Sequence, residues 1–118
     1  MTLDAADLDE RFDRLMGQGV YVTDVAYEDG ALHVGHETVA PEGVPGREVG
    51  RILAVLLDAR EDGWEPTDVR GWVFDADAGS EGDRERRGTW RAEAGWFHAL
   101  SEGYLSETDF STLVLSTI

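Results

Sequence analysis

The first periodic stretch of apolar residues lies between residues 4 and 16. Leu8, Phe12 and Leu15 are spaced i, i+4, i+7, as on the buried side of an amphipathic helix. Asp4 precedes them with a side chain suited to capping the first turn. The pattern therefore predicts a helix over residues 4–16.

The strongest helical pattern of the chain covers residues 47–61. Its apolar positions fall on one side of a helix and are Val49, Ile52, Leu53, Leu56 and Leu57. Charged residues, Glu48 among them, are predicted on the opposite side, in contact with water. Gly63 and Pro66 follow at positions that end a helix. We expect an amphipathic helix from about Arg47 to Glu61.

A hairpin is predicted where Asp29 and Gly30 follow a β-branched and aromatic run. With these two residues as the loop, the residue numbers of each cross-strand pair add up to 59. One side of the hairpin then carries the pairs Tyr27–Leu32, Val25–Val34 and Thr23–His36. The other side, which is polar and therefore predicted to face water, carries Glu28, Asp24, His33 and Glu37.

A second hairpin is predicted from residues 69–76 and 89–94, because apolar residues alternate in both. Trp72, Phe74 and Ala76 share one face of the first strand, and the second strand carries Trp90, Ala92 and Ala94 in the same way. The connection over residues 77–88 is long and consists of small and charged residues, so we expect a hairpin arm with a mobile tip.

The C-terminal stretch carries two helical signals. Trp96 and Leu100 are four residues apart ahead of Gly103, and Ser106 with Asp109 resembles a capping box. The β-branched residues of 112–118 would also suit an edge strand, and the helix is the preferred interpretation.

Together these elements predict a single α+β domain over residues 1–118. The expected sheet has four antiparallel strands from two hairpins, covered on its aromatic face by helices, in the order α-β-β-α-β-β-α. The five-residue apolar run from Leu53 to Leu57 is too short for a membrane-spanning helix, and the chain starts with an acidic stretch where a secretory leader would be basic.

The chain is unusually acidic, with 25 Asp and Glu, 10 Lys and Arg and a net charge of −15 over 118 residues. All its basic residues are Arg, and it lacks Lys, Asn and Cys. Periodic apolar blocks exclude disorder. At about 1 M salt the Debye length is only about 3 Å, so a dense set of surface carboxylates no longer repels itself. We interpret the composition as adaptation to the molar salt of a haloarchaeal cytoplasm.

Candidate catalytic and metal sites are weak. His33 and His36 are three residues apart in a predicted strand, where they point to opposite faces, so a metal pair is not expected. The default interpretation is a solvated His33 and a hydrogen-bonded His36. Carboxylate pairs arise from composition alone, and the spacings of a nucleophile elbow, a P-loop and a dinucleotide fingerprint are absent from the sequence. We therefore predict no catalytic residues, no metal and no cofactor.

One segment departs from the acidic background. Arginines interleave there with an aromatic residue, and the candidate binding residues are Arg84, Arg86, Arg87, Trp90 and Arg91. Acidic neighbours bring the local net charge to about zero, and molar salt weakens phosphate contacts, so nucleic acid is not favoured as a partner. A salt-bridged arm is the simpler interpretation, and an acidic partner protein is as plausible as RNA.

Several stretches together resemble small haloarchaeal proteins of an uncharacterised domain family. The resemblance covers nearly the whole chain and rests on the segments that begin at Tyr21 (YVTDV), Asp29 (DG), Val44 (VPGREVG), Gly71 (GWVF) and Gly103 (GYLSETDF). It implies a lineage and a helical C-terminal end, and it carries no catalytic residue.

The function is therefore left at two hypotheses. The preferred one is a non-enzymatic binding or interaction module of a halophile cytoplasm, associating with itself as a homodimer or with another protein. The alternative is a small-ligand-binding protein or unusual hydrolase, with a pocket between the second helix and the Trp-bearing strands. Such a pocket would hold His36 or His98 beside a buried carboxylate.

Overall fold

The computed structural model of the chain describes residues 3–76 and 86–118. The elements in chain order are α1 (Ala5–Phe12), a 3₁₀ helix (Asp13–Gln18), β1 (Tyr21–Glu28), β2 (Ala31–Thr38), α2 (Gly46–Glu61), β3 (Asp68–Asp75), β4 (Arg86–Ala92), α3 (Ala94–Ser101) and α4 (Glu107–Leu115). The predicted α+β class is confirmed, and the described residues form one four-stranded sheet. Two helices follow β4, where the predicted order had one.

The strands lie in the order β1-β2-β3-β4, and the sheet is mixed. β1 and β2 are antiparallel, β2 and β3 are parallel, and β3 and β4 are antiparallel. The prediction of a purely antiparallel sheet is wrong, because α2 returns the chain to the end of the sheet where β2 began. A strand, a crossover helix and a neighbouring strand make a parallel pair.

The register of the first hairpin is confirmed near its loop and wrong at its far end. Tyr27 pairs with Leu32 and Val25 with Val34, as predicted. A bulge between Val22 and Asp24 then shifts the pairing, so that Val22 takes the place predicted for Thr23, opposite His36. The bulge keeps the polar Thr23 away from the interior, and Val22 packs against the core instead.

The helices pack on one face of the sheet, and this face is not the one that was predicted. Val69 and Val73 of β3 are completely buried on it, whereas Trp72 and Phe74 alternate onto the opposite face and are only partly buried. Trp90 and Ala92 of β4 do lie in the core. The expectation that helices cover Trp72 and Phe74 is therefore wrong, because the side that packs against the helices is that of Val69 and Val73, where Gly71 leaves room for the Trp90 ring.

The core between sheet and helices is aromatic at its centre. Trp64 meets Phe97 edge-on with ring centroids 5.3 Å apart, and Phe97 meets Phe110 at 4.9 Å. Trp64 also donates a hydrogen bond from Nε1 to the hydroxyl of Tyr27 at 3.0 Å, which ties this cluster to β1. The three rings are almost fully shielded from water.

The C-terminal end is helical, as preferred from the sequence. The Ser106 hydroxyl accepts a hydrogen bond from the Asp109 amide at 3.0 Å and so caps α4. Beyond α4, the Thr117 hydroxyl accepts a hydrogen bond from the backbone N–H of Arg91 at 2.8 Å, at the outer edge of β4. None of the helices in the described residues is long and apolar enough to cross a membrane.

Candidate functional site

The face of the sheet that points away from α1–α4 is called here the open face, since no helix of the described residues packs on it. Its β1–β2 half is formed by alternate residues of the two strands: Asp24, Ala26, Glu28, His33, Gly35 and Glu37. Its β3–β4 half is formed by Arg70, Trp72, Phe74, Arg86, Thr89 and Arg91. The polar face predicted for the first hairpin is confirmed, and the aromatic residues lie on the same side.

The β1–β2 half of the open face is hollow. Ala26 and Gly35 are small, and the depression above them has a volume of about 420 Å³ and is shallow and open to solvent. The Asp24 side chain leans over Gly35, so that a Cβ at position 35 would lie 2.8 Å from its Oδ2. The Thr23 hydroxyl donates a hydrogen bond to the same carboxylate at 3.0 Å and helps to orient it.

The β3–β4 half forms a ridge of large side chains. Trp72 and Phe74 bound the depression from this side. The Arg86 guanidinium carbon lies 5.3 Å from the Trp72 ring centroid, within cation–π range. On the other side, Trp72 donates a long hydrogen bond from Nε1 to Nδ1 of His33 at 3.4 Å. The indole is therefore held between β2 and β4.

The predicted binding residues divide between the two faces of the sheet. Arg86 and Arg91 are exposed on the open face, and Arg91 lies 3.8 Å from Glu93. Trp90 is buried in the core, where its ring cannot stack on a ligand. Arg84 lies outside the described residues. The binding role of this set of residues stays a prediction.

Arg87 points away from the open face and contacts residues of this chain that hold the sheet together. Its Nη1 donates to the carbonyl oxygen of Ala40 at 2.8 Å and contacts Oδ2 of Asp75 at 3.3 Å. The side chain is only 9% exposed. Arg87 therefore clamps β4 to β3 and to the loop that follows β2.

A buried polar cluster joins β2 to α2 on the helix-covered face. His36 Nε2 lies 3.1 Å from one oxygen of Glu48, and the Thr38 hydroxyl donates to the other at 3.1 Å. The predicted hydrogen-bonded His36 is confirmed. The prediction that Glu48 faces water is wrong, since Glu48 is 6% exposed. Its spacing from Ile52 and Leu56, i, i+4, i+8, is the sequence signal that would have placed it on the buried side.

Burial is the main influence on the His36 imidazole. It lowers the pKa of His36 below its ordinary value of 6.5, against a smaller opposing effect of the Glu48 carboxylate and its hydrogen bond. Nδ1 has no hydrogen-bond partner among the described residues. The neutral ring with its proton on Nε2 fits this site best, because a proton on Nδ1 would be a buried donor with nothing to receive it.

Acid–base chemistry on a substrate is not available to His36, although this residue stands beside a buried carboxylate as the ligand-pocket hypothesis required. Its side chain is 0% exposed, and the space between α2 and the strands is filled by completely buried Leu32, Val34, Ile52 and Leu56. His98 lies apart from this cluster and is exposed. Within residues 3–76 and 86–118, no group of three or more His, Asp or Glu side chains is arranged to hold a metal ion.

Fold and site together define a small α+β domain, with helices on one side of a mixed sheet and a polar and aromatic surface on the other. The chain belongs to a family described as a domain of unknown function (DUF8159), which matches residues 2–118. The uncharacterised family suggested by the sequence is thereby confirmed. Comparison with curated proteins and with solved structures found no match.

Proposed function

We propose that the protein is a non-enzymatic interaction module that binds a protein surface through the open face of its sheet. The observation that carries the proposal is the placement of two large, partly buried aromatic residues, Trp72 and Phe74, on the open face, where no helix of the described residues packs. Aromatic residues rimmed by arginines are enriched where proteins bind one another. The exposed Arg86 beside Trp72 supplies both kinds of contact.

The shape of the open face favours a macromolecule over a small ligand. Sites for small molecules enclose most of the ligand surface. The depression above Ala26 and Gly35 is open to solvent, and the residues that line it belong to the outward side of β1, β2 and β3. A protein surface can cover such a face completely, whereas a metabolite would leave much of its own surface in water.

The setting proposed for this module is the cytoplasm of a halophile. Support comes from the net charge of −15 and from basic residues that are all arginine. In molar salt, long-range attraction between surfaces is screened, and apolar contacts become stronger. An interaction surface built around aromatic rings suits this solvent better than one built on charge alone.

The test is affinity capture from a halophile lysate in about 2 M KCl with four baits of equal concentration. They are the wild type, Trp72→Ala and Phe74→Ala on the open face, and Leu57→Ala on α2, a control that also shortens a partly buried apolar side chain. A protein retained by the wild type and the control, and lost with both open-face variants, supports the proposal. Equal capture by all four folded baits contradicts it.

A further inference from the structure

The two halves of the open face complement each other in shape. The hollow over Ala26 and Gly35 lies on the β1–β2 half, and the ridge of Trp72 and Phe74 lies on the neighbouring half. The register places Gly35 directly beside Trp72 in the same cross-strand row. The hollow and the ridge lie side by side in the same row. In a pair of facing copies, the ridge of each copy can therefore pack into the hollow of the other.

The same two halves complement each other in charge. The β1–β2 half carries carboxylates, with Glu28 and Glu37 on alternate positions of its strands. The β3–β4 half carries the exposed arginines Arg70, Arg86 and Arg91. Three of the chain's 10 basic residues thus lie on this half, against the exposed carboxylates of Asp68 and Glu93, so this half is less acidic than the β1–β2 half.

From these two observations we propose that the partner of the open face is a second copy of this chain. The proposal rests on the proposed function, and it names the occupant. The two sheets stack face to face about a two-fold axis that runs along the strands between β2 and β3. Stacked sheets lie about 10 Å apart with their strands within about 30° of each other, which agrees with such an axis.

This axis follows from the geometry of the rows. A two-fold axis parallel to the strands reverses the strand order of the second copy, so β1 of one copy lies over β4 of the other. It does not move residues along the strand direction, so each cross-strand row faces the same row of the second copy. Trp72 then lies over the Gly35 row of the second copy, in the depression beside Ala26 and next to the Asp24 side chain that covers Gly35. An axis across the strands would place β1 over β1 and carboxylate over carboxylate. Each partner contributes the same patch, as two-fold symmetric interfaces require.

The length of an arginine side chain allows an ion pair between β4 of one copy and β1 of the other. Arg91 lies in the row of Ala26, and Glu28 is two residues further along β1. Two residues of a strand span about 6.6 Å, a distance that an arginine side chain covers. We therefore expect Arg91 of one copy to reach Glu28 of the other, twice per dimer.

The first experiment measures the mass in solution by light scattering at about 100 µM protein in about 2 M KCl. The wild type is expected at twice its 13.0 kDa. Ala26→Gln fills the hollow and Trp72→Ala removes the ridge, and each should weaken self-association at least tenfold. Ala54→Gln, the same change at an exposed position of α2, is the matched control and should leave the dimer intact. Far-UV circular dichroism verifies that each variant is folded.

The second experiment tests the direction of the axis, at the lowest salt concentration where the wild type stays folded. Glu28→Arg and Arg91→Glu each place like charges together at both ends of a homodimer and should weaken it. Mixed in equal amounts, the two variants restore opposite charges at both ends, so the dimer should return. A mixture that stays as monomeric as its components would contradict an axis along the strands.

Other outcomes separate this inference from the proposed function. A wild type that is monomeric at about 100 µM, or a dimer unaffected by Ala26→Gln and Trp72→Ala, overturns self-association through the open face. If a monomeric wild type still captures another protein that Trp72→Ala does not, the interaction module stands and its partner is that protein. If capture is also equal for all baits, both proposals fall.

Discussion

The indole ring of Trp90 lies directly on the backbone of Gly71, and a methyl group at position 71 would overlap the ring. The two residues are cross-strand neighbours on β4 and β3. Since Trp90 is 2% exposed, the ring has no free direction in which to move. Glycine is therefore needed at position 71, because any side chain there would occupy the space that the Trp90 ring fills against the sheet.

Gly71→Ala should lower the free energy of unfolding by about 1–3 kcal/mol, the usual range for overpacking a core. Gly50→Ala is the matched control, because Gly50 lies inside α2 with nothing within 4 Å of an added Cβ. That substitution should raise the free energy of unfolding by about 0.5–1 kcal/mol. Urea unfolding of both variants measures the difference, and equal effects would contradict the packing described for Trp90.

His36 should make the fold sensitive to mild acid. Its folded-state pKa is lowered by burial, so the unfolded chain takes up this proton first as the pH falls. Stability from the neutral ring is complete above about pH 6.5 and declines below it, by up to about 1.4 kcal/mol per pH unit until the folded pKa is reached.

The measurement for His36 is the free energy of unfolding between about pH 7 and pH 5 for wild type and His36→Gln. The glutamine keeps an N–H group for Glu48 and cannot take up a proton in this range. The stability difference between the two proteins should therefore shift in favour of the variant as the pH falls. His98→Gln, at an exposed histidine, should follow the wild type. Parallel curves for wild type and His36→Gln would rule out this role of His36.

Arg86 and Arg87 are neighbours with opposite surroundings, and alanine at each should give different results. Arg87 is almost buried and bonds Ala40 and Asp75, so Arg87→Ala should cost about 2–3 kcal/mol of stability. Arg86 is exposed and stacks on Trp72, so Arg86→Ala should cost about 0.5–1 kcal/mol. Thermal unfolding of the two variants side by side gives the comparison. A larger loss at Arg86 than at Arg87 would reverse the assignment.

The acidic composition carries its own test. Lowering the salt from about 2 M to about 0.1 M KCl lengthens the Debye range to about 10 Å and restores repulsion among the carboxylates. The melting temperature should fall by several degrees or more. Equal ionic strength from sodium chloride serves as a control for specific effects of potassium. An unchanged melting temperature would remove the support for a halophilic origin.

Local patterns in the sequence predict much of the fold, and long-range packing explains the rest. The apolar stripe of α2, the Asp29–Gly30 loop and the Ser106 cap are set by neighbours in the chain, and all three were predictable. The parallel pairing of β2 with β3 is a property of the whole strand-helix-strand unit. The alternation of apolar residues within each strand carries no information about this pairing.

The candidate site was harder to predict, because it depends on which face of β3 the helices cover. Alternation shows that Val73 and Trp72 point to opposite sides of the sheet, but it does not say which side is buried. Gly71 is the deciding residue. It shares the face of Val69 and Val73, and its missing side chain leaves space there for Trp90 of the adjacent strand. Trp72 is consequently left on the open face.

The hydrogen bond from Arg91 to Thr117 affects how the sheet could grow. An outer strand with unsatisfied backbone groups is a template on which a further strand, native or foreign, can add, and amyloid-like aggregation begins in this way. At Arg91 the outward N–H is already satisfied by the Thr117 hydroxyl. Strand addition next to β4 would first have to displace the C-terminal turn. The Thr117 side chain therefore protects the β4 edge around Arg91 from the addition of a further strand.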